Sequence, residues 1–462
     1  MTMKKRIILA LATLFLTANF GFAQQDEECM LNLTLMSDFV KSKKYDEAYE
    51  PWMSVRNKCP KFSYAIYAYG EKILKYKIKK STDQAKLDYI KDLMLVWDTG
   101  MEYYPSKYDL GEVLADKGLL MYDYQKEMGL TDKQVYDAFD KAYTQDLKHF
   151  TTAKGLYVYF TKIVDLFKAE QAPIQDVFNK YDDVSEQLET INANYTIKLN
   201  KFIEKEDAGE ALTKKEGKYK PFYQKSLEAN DKISGSLDTY LGQLANCENL
   251  IPLYQKDFPT YKNDAVWLKR AVSRMYNKEC TDDPLYIDLV KAYDATAPSA
   301  DTKYFTATIL YKQGKDKEAE KYIKQAYELE TDTFKKGKLA YRIANTFKKK
   351  GSYGSARTYY REALKLNPSD GKPHLQIAAM YAKSANSCGD TNFNKRAVFW
   401  YAAQEALKAG RVDASMKSSA QQAANSYNAN APTKAEIFQA GNAGTTITIG
   451  CWIGGSVTVP NL

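Results

Sequence analysis

Apolar residues recur at helical spacing along most of the chain, from Met30 to about Tyr427. Short runs of Gly, Pro, Asn and Asp separate the periodic segments. A recurrence of about 3.6 residues places apolar side chains along one face of an α-helix, so the pattern predicts a long series of packed helices joined by short turns. We therefore expect roughly 60% or more of the chain to be helical.

The C-terminus follows a different period. No charged side chain occurs after Glu436, and residues 445–459 have the sequence TTITIGCWIGGSVTV. Apolar and polar residues alternate here as on a half-buried β-strand, and the run Gly454-Gly455-Ser456 suits a loop. The apolar face of the predicted hairpin consists of Ile447, Ile449, Cys451, Ile453, Val457 and Val459. We therefore predict a short β-hairpin within residues 435–462 that closes the helical region.

One helical segment carries a specific signature. Between Gly337 and Asp370, small residues occur where two helices of a pair approach closely, larger residues occur between neighbouring pairs, and a proline ends the second helix. The signature positions hold Ala340, Ile343, Ala344, Phe347, Gly351, Tyr353, Ala356, Tyr360, Ala363 and Pro368. The spacing is that of a 34-residue helix–turn–helix unit, and the segment resembles a tetratricopeptide repeat.

The same frame recurs elsewhere, with good matches over about 29–62 and 300–408. Together with stretches such as YDEAYEPW and the terminal CWI, it resembles exported bacterial tetratricopeptide-repeat proteins. That resemblance implies an all-α, right-handed helical solenoid. We expect degenerate repeats over residues 24–250 and a regular solenoid over residues 251–434.

A charged stretch interrupts the repeats in the middle of the chain. Residues 204–220 are dense in charge and contain Thr213-Lys-Lys-Glu216, a capping-box pattern that starts a helix. We interpret the stretch as the tip of a long helical hairpin at about 180–246. A plain solvated loop is the alternative interpretation.

The first 23 residues have the composition of a secretory signal peptide. Basic residues at positions 4–6 precede an apolar run from Ile7 to Leu16, and small residues follow near Ala23. The run is too short to span a bilayer, and the glutamine after Ala23 argues against a lipid-modified cysteine. We expect a protein exported to the periplasm or envelope of a Gram-negative bacterium, with no transmembrane segment after signal cleavage.

Export predicts that the six cysteines form disulfide bonds, because an even number of cysteines in an oxidising compartment favours pairing. In the repeat frame, the first two pairs lie at adjacent ends of neighbouring helices. The last pair links an insertion in the final repeat to the C-terminal hairpin. The expected bonds are Cys29–Cys59, Cys247–Cys280 and Cys388–Cys451. For the last pair, two separately buried thiols are the alternative.

Catalytic and metal-binding signatures are weak. The two histidines, His149 and His374, are far apart in sequence, and no cysteines are closely spaced. We therefore expect no metal site, no cofactor and no histidine-dependent catalytic triad. His374 occupies a repeat position that is normally packed, so it is predicted to be a core residue. The carboxylates are spread along helix faces opposite lysines, which is typical of solvated ion pairs.

The first helix of each pair lines the concave face of a repeat solenoid, and we predict the binding site there. The repeat frame directs seven side chains to this face: Lys338, Tyr341, Arg342, Asn345, Lys348, Lys372 and Gln376. Such a strip suits a carboxylate or an acidic peptide. Lys338 and Arg342 also match the basic positions of the carboxylate clamp of some chaperone-binding tetratricopeptide domains. Asp301 and Phe305 make that match partial, and an ordinary basic helix face is the alternative to the clamp.

These observations predict a non-catalytic exported scaffold that binds a protein partner through its groove. The net charge of +8 is modest for 462 residues and does not indicate a nucleic acid partner. The aromatic residues, which include 37 tyrosines, motivate an alternative, a glycan-binding module of the envelope, because aromatic faces can pack against sugars. A hydrolase with an unrecognised carboxylate pair is the least supported hypothesis.

Overall fold

The computed structural model describes residues 27–462, which are predominantly helical with one two-stranded antiparallel sheet. A helical content of 78% confirms the all-α prediction. The helices are α1 (27–41), α2 (Tyr45–Lys58), α3 (Ala65–Lys80), α4 (Asp83–Tyr103), α5 (Leu110–Asp123), α6 (Asp132–Asp146), α7 (Ala153–Lys168), α8 (Ile174–Asp207), α9 (Lys214–Leu244), α10 (Cys247–Tyr261), α11 (Ala265–Asn277), α12 (Pro284–Thr296), α13 (Ala300–Lys312), α14 (Asp316–Leu329), α15 (Thr333–Lys349), α16 (Tyr353–Leu366), α17 (Lys372–Lys383), α18 (Asn392–Val412), α19 (Lys417–Asn430) and α20 (Lys434–Ala440), and the strands are β1 (Thr446–Ile449) and β2 (Gly455–Thr458). The predicted signal peptide, residues 1–23, lies outside the described residues.

The chain folds as two compact units, one ending at Gln187 and the other running from Leu188 to Leu462. The sequence predicts its main boundary at residue 250, where the repeat signature becomes regular, whereas the compact units divide inside the long helix α8. The boundary at residue 250 reflects how regular the sequence repeats are, whereas the boundary in α8 reflects how the helices pack into compact units. The predicted limits 24–250, 251–434 and 435–462 therefore stay predictions.

The first unit has an aromatic core. The ring of Trp52 is completely buried, and its indole Nε1 donates a hydrogen bond to the carbonyl oxygen of Ile66 at 2.8 Å. Gly70 lies against the same indole, where a Cβ would approach Nε1 to 2.6 Å. Helices α1 and α2, the predicted first repeat, both contribute buried residues to this core.

The regular repeats of the second unit form successive helix pairs: α13 with α14, α15 with α16, and α17 with α18. Ala340, Ala344 and Ala356 are completely buried between their helices, as the repeat frame predicts. Tyr360 fills the remaining space in the same pair. Gly351 lies in the turn between α15 and α16 with a φ of 77°, a left-handed conformation that favours glycine.

The predicted helical hairpin is present as α8 and α9, joined by residues 208–213. The Thr213 hydroxyl accepts a hydrogen bond from the Glu216 backbone at 3.3 Å, and the Glu216 carboxylate accepts one from the Thr213 backbone at 2.7 Å. These hydrogen bonds, together with the Lys205 ammonium of α8, lower the pKa of Glu216 to about 2. The predicted capping box therefore starts α9, and the alternative of a plain loop is wrong.

The C-terminal strands pair with Ile447 opposite Val457 and Ile449 opposite Gly455. Five of the six residues predicted for the apolar face of the hairpin are buried. The sixth, Cys451, is exposed and forms a disulfide bond with Cys388. The predicted loop position is wrong. Gly455 and Ser456 belong to β2, and the connection is residues 450–454, because the register that pairs Ile449 with Gly455 uses both residues in the ladder.

All three predicted disulfide bonds are present. The Cα atoms are 6.3 Å apart in Cys29–Cys59, 5.5 Å in Cys247–Cys280 and 5.2 Å in Cys388–Cys451. None of the six cysteines, all of which lie within residues 27–462, is a free thiol. The structure therefore excludes the alternative of separately buried thiols for the last pair.

Candidate functional site

A groove with a volume of about 620 Å³ lies in the second unit, along the first helices of successive pairs, α11, α13, α15 and α17. It combines cationic side chains with aromatic and apolar ones. The lining residues are Tyr276, Tyr304, Arg342, Asn345, Thr346, Lys348, Lys349, Tyr353, Ala379, Met380 and Lys383. Three of the seven predicted binding residues, Arg342, Asn345 and Lys348, are among them, and the other four, Lys338, Tyr341, Lys372 and Gln376, are not.

Arg342 is already engaged inside the protein. Its Nη1 lies 2.8 Å from Oδ1 of Asp301, and its guanidinium carbon lies 4.2 Å from the ring centre of Tyr304 and 5.1 Å from that of Phe305. Asp301 and Phe305 are the residues that make the carboxylate-clamp match partial. They supply Arg342 with an internal carboxylate and an aromatic face, so a ligand carboxylate would compete with Asp301 for this guanidinium.

Lys338 and Lys372 are paired with the helical hairpin. The Nζ of Lys338 lies 2.7 Å from a carboxylate oxygen of Glu189 in α8, and the Nζ of Lys372 lies 3.1 Å from one of Asp231 in α9. Neither lysine is among the residues that line the groove. All four side chains are about half exposed, so these ion pairs are weak and an anionic partner can compete for the lysines.

Tyr341 and Asn345 are oriented by α16. The Tyr360 hydroxyl donates a hydrogen bond to Oδ1 of Asn345 at 2.6 Å, and the ring centres of Tyr341 and Tyr360 are 5.5 Å apart. Burial raises the pKa of Tyr341, so its hydroxyl stays neutral at physiological pH. These two side chains therefore connect the groove helix α15 to the second helix of its pair.

Lys348, a predicted binding residue, and Lys383, which the sequence did not single out, differ from the internally paired cations Arg342, Lys338 and Lys372. The Lys348 ammonium donates a hydrogen bond to the side-chain oxygen of Gln376, which is a neutral acceptor. Burial, and then the charge of Lys383, lower the pKa of Lys348. Within residues 27–462, neither lysine forms an ion pair with a carboxylate. Two neighbouring cations without a counter-ion create a positive potential in the groove that favours an anionic ligand.

Sequence reasoning missed Lys383 and all three aromatic side chains that line the groove, Tyr276, Tyr304 and Tyr353. Lys383 is the last residue of α17, beyond the inward positions that the repeat frame assigns to a first helix. Tyr276 comes from α11, which lies outside the segments 29–62 and 300–408 where the repeat frame matches well. Tyr353 reaches the groove from α16, a second helix.

His374 belongs to a buried network, as the sequence predicts for a core residue. Its Nδ1 lies 2.8 Å from Oε1 of Glu405, and Oε2 of Glu405 accepts a hydrogen bond from Lys408 at 2.8 Å. Burial alone would raise the pKa of Glu405, but the hydrogen bonds from His374 and Lys408 and the charge of Arg361 lower it to about 2.

His149 lies in the first unit, with Nδ1 2.9 Å from a carboxylate oxygen of Asp146. In the described part of the chain, no three His, Cys, Asp or Glu side chains are grouped so that they could hold a metal ion. None of the described helices combines the length and apolarity needed to cross a membrane.

The aromatic residues serve mainly in packing. The completely buried tyrosines include Tyr67, Tyr159, Tyr254, Tyr286, Tyr304, Tyr360 and Tyr381. None of the five tryptophans, all in the described range, is fully exposed. The glycan-binding alternative depends on exposed tyrosine and tryptophan faces, and the structure offers few of them.

Comparison with known proteins supports the repeat assignment. A sequence profile of the tetratricopeptide repeat matches residues 337–370, the segment that carries the signature, and confirms the predicted resemblance. Among curated proteins, none matches the chain in sequence.

Two solved structures illustrate the structural likeness. A tetratricopeptide repeat protein from Parabacteroides merdae is 10% identical with a TM-score of 0.25, over 68% of this chain and 97% of that chain. The human IFIT1 dimer with PPP-AAAA is 13% identical with a TM-score of 0.32, over 77% of this chain and 75% of that chain. Scores this low identify neither a shared activity nor a shared ligand.

Proposed function

We propose that the protein is a non-catalytic scaffold that binds an acidic peptide segment of a protein partner in the groove along α11, α13, α15 and α17. The observation that carries the proposal is the pair of Lys348 and Lys383, two cations that line the groove and have no carboxylate partner among the described residues. Tetratricopeptide repeats generally mediate protein interactions and are typically not catalytic, which supports the same assignment.

The groove offers two kinds of contact to such a segment. Lys348 and Lys383 provide charge-assisted hydrogen bonds to carboxylates. The half-buried rings of Tyr276 from α11 and Tyr353 from α16 provide apolar surface for neighbouring side chains of the peptide. Arg342 becomes a further donor when a ligand carboxylate replaces Asp301. An acidic segment interspersed with apolar residues therefore fits the lining best.

We further propose that the protein acts outside the cytoplasm, in the periplasm or envelope. Three disulfide bonds are typical of oxidising compartments and support this location. Mass measurement of the protein purified from a periplasmic fraction tests it: we expect a chain that begins at Gln24. A full-length chain recovered from the cytoplasm with reduced cysteines would contradict the proposal.

Partner capture from an envelope extract tests the groove. Two double reversals are compared, Lys338→Glu with Arg342→Glu, and Lys348→Glu with Lys383→Glu. We expect the second variant to lose capture, because it places carboxylates where the ligand carboxylates bind. The first variant removes cations that are internally paired, so its capture is expected to fall less.

A matched control keeps the charge change and moves it away from the groove. Lys317 and Lys321 are exposed on α14, a second helix, and Lys317→Glu with Lys321→Glu alters the net charge by the same amount. We expect this variant to capture the partner like the unmodified protein. Equal losses in the α14 and groove variants would show that net charge, rather than the groove, determines capture.

A further inference from the structure

The helical hairpin exposes a cluster of aromatic rings. Tyr195 and Phe202 of α8 meet Tyr219, Phe222 and Tyr223 of α9, with neighbouring ring centres 5.5 to 6.1 Å apart. Within the cluster, Phe222 is 51% exposed and Tyr219 is 43% exposed. Large rings grouped at a surface are unfavourable in water, and such a group typically marks an interaction site.

Lysines lie directly against these rings. The Nζ of Lys198 is 5.6 Å from the ring centre of Tyr223, and the Nζ of Lys215 is 6.0 Å from that of Tyr219. Both ammonium groups therefore lie beside aromatic rings at cation–π distances. Within residues 27–462, neither lysine forms an ion pair.

Two more lysines share the helix face of Phe222. Lys218 precedes Phe222 by four residues and Lys225 follows it by three, the spacings that place side chains on one face of a helix. Both are exposed, and neither has an ion-pair partner in the described part of the chain. We name the set Lys198, Lys215, Lys218, Tyr219, Phe222 and Lys225 the aromatic–lysine patch.

Other lysines neutralise two of the nearby carboxylates. Glu216 is paired with Lys205 at 3.1 Å, and Glu206 is paired with Lys220. The other acidic residues of the tip, which lie at the loop end of the hairpin, are Glu204, Asp207 and Glu210. The patch therefore has a net positive charge around two exposed rings.

From this arrangement we infer that the aromatic–lysine patch binds the surface of an anionic lipid bilayer. Phe222 and Tyr219 enter the interfacial region, and the four lysines contact lipid phosphates. A partner helix would need apolar residues along several turns. The exposed rings of α9 span a single turn, which suits the shallow insertion of a few side chains. The inference concerns a different surface from the groove and does not depend on the acidic peptide.

Co-sedimentation of the mature chain with vesicles tests this inference. One set of vesicles contains phosphatidylcholine alone, and the other contains equal amounts of phosphatidylcholine and phosphatidylglycerol. We expect binding to the anionic vesicles that weakens as salt increases, and little binding to the neutral ones. Equal binding to both kinds of vesicle, or none to either, would overturn the inference.

Substitutions locate the binding surface. Phe222→Ser is expected to weaken binding roughly tenfold, and the triple change Lys215→Gln, Lys218→Gln and Lys225→Gln on the order of a hundredfold. The matched controls are Phe438→Ser, at a phenylalanine that is 76% exposed on α20, and the triple glutamine change at Lys317, Lys321 and Lys324 on α14. Control variants that lose as much binding would place the lipid contact elsewhere.

A spectroscopic readout separates insertion from a loss of folding. Phe222→Trp introduces an indole at the exposed ring position, and its fluorescence should shift to shorter wavelength when anionic vesicles are added. Phe438→Trp should show no shift. An unchanged Phe222→Trp spectrum in vesicles that do sediment the protein would contradict insertion at the patch. A loss of vesicle binding when an acidic helical peptide is added would instead assign the patch to a protein partner.

Discussion

At the scale of single residues, the local partner of a charged group decides what that group is available to do. Arg342 and Lys348 both line the groove from α15, but Arg342 has the carboxylate of Asp301, whereas Lys348 contacts the neutral side chain of Gln376 and no carboxylate among the described residues. Spacing in the sequence predicts that both side chains point to the groove. It does not predict the partners, because Asp301 and Gln376 come from neighbouring repeats.

Glu405 of α18 is a buried carboxylate in the last of the regular repeats. Its side chain is 3% exposed, and it accepts hydrogen bonds from His374 and Lys408. Glu405→Gln removes the carboxylate that accepts these hydrogen bonds and leaves the Lys408 ammonium without its counter-ion, so we expect the free energy of unfolding at neutral pH to fall by about 3 kcal/mol. Chemical denaturation of the variant checks this value.

The pH dependence follows from the lowered pKa of Glu405. The folded-state pKa is about 2 and the ordinary value is 4.5, so its contribution to stability is fully present above 4.5 and is lost as the pH falls towards 2. Glu405→Gln should weaken the fall in stability over that range. The control Glu328→Gln, at a carboxylate that is 63% exposed, should change stability by less than about 1 kcal/mol. Identical pH profiles for Glu405→Gln and the unmodified protein would contradict this role.

At the scale of elements, sequence patterns predict a helix or its first residue well where neighbouring residues alone determine it. The 34-residue signature predicts α15 and α16, and the Thr213–Glu216 capping box predicts the start of α9. The loop of the β-hairpin was misplaced because two consecutive glycines, Gly454 and Gly455, allow more than one register. Helix α11, which lies outside the segments with a good match to the repeat frame, also supplies Tyr276 to the groove.

The C-terminal hairpin is held by one covalent bond and several side-chain contacts. Trp452 donates a hydrogen bond from Nε1 to the Ser384 hydroxyl at 3.0 Å, and its ring packs against Tyr353 and Tyr381. Tyr353 is also a groove residue. The hairpin therefore supports one wall of the groove, in addition to covering the apolar surface beneath it.

Cys388→Ser with Cys451→Ser tests how far the disulfide bond fixes this hairpin. The bond joins residues 63 positions apart, so in the chain-entropy model its removal lowers the free energy of unfolding by about 4 kcal/mol. Hydrogen exchange should become faster in β1 and β2 than in α15 and α16. The same change at Cys247 and Cys280, which are 33 positions apart, should leave exchange in β1 and β2 unaltered. Unchanged exchange in β1 and β2 of the Cys388 and Cys451 variant would contradict the pinning role.

At the scale of the whole molecule, the two proposed surfaces lie in the second unit and both are positively charged. The groove contributes Lys348 and Lys383, and the aromatic–lysine patch contributes four more lysines. Salt should weaken both interactions, but the groove and patch substitutions should act independently because no residue is shared. A scaffold that binds an acidic segment at one surface and anionic lipid at another would hold its partner beside a membrane.

The binding of a defined peptide by the purified protein tests the central claim most directly. Fluorescence anisotropy measures the affinity of a labelled peptide in which glutamates flank a phenylalanine, with a glutamine version as the control. We expect the glutamate peptide to bind with an affinity that falls as salt increases, and Lys348→Glu with Lys383→Glu to weaken it at least roughly tenfold. Lys317→Glu with Lys321→Glu should leave the affinity unchanged. Equal affinity of the unmodified protein and the Lys348 and Lys383 variant for the glutamate peptide would contradict the account.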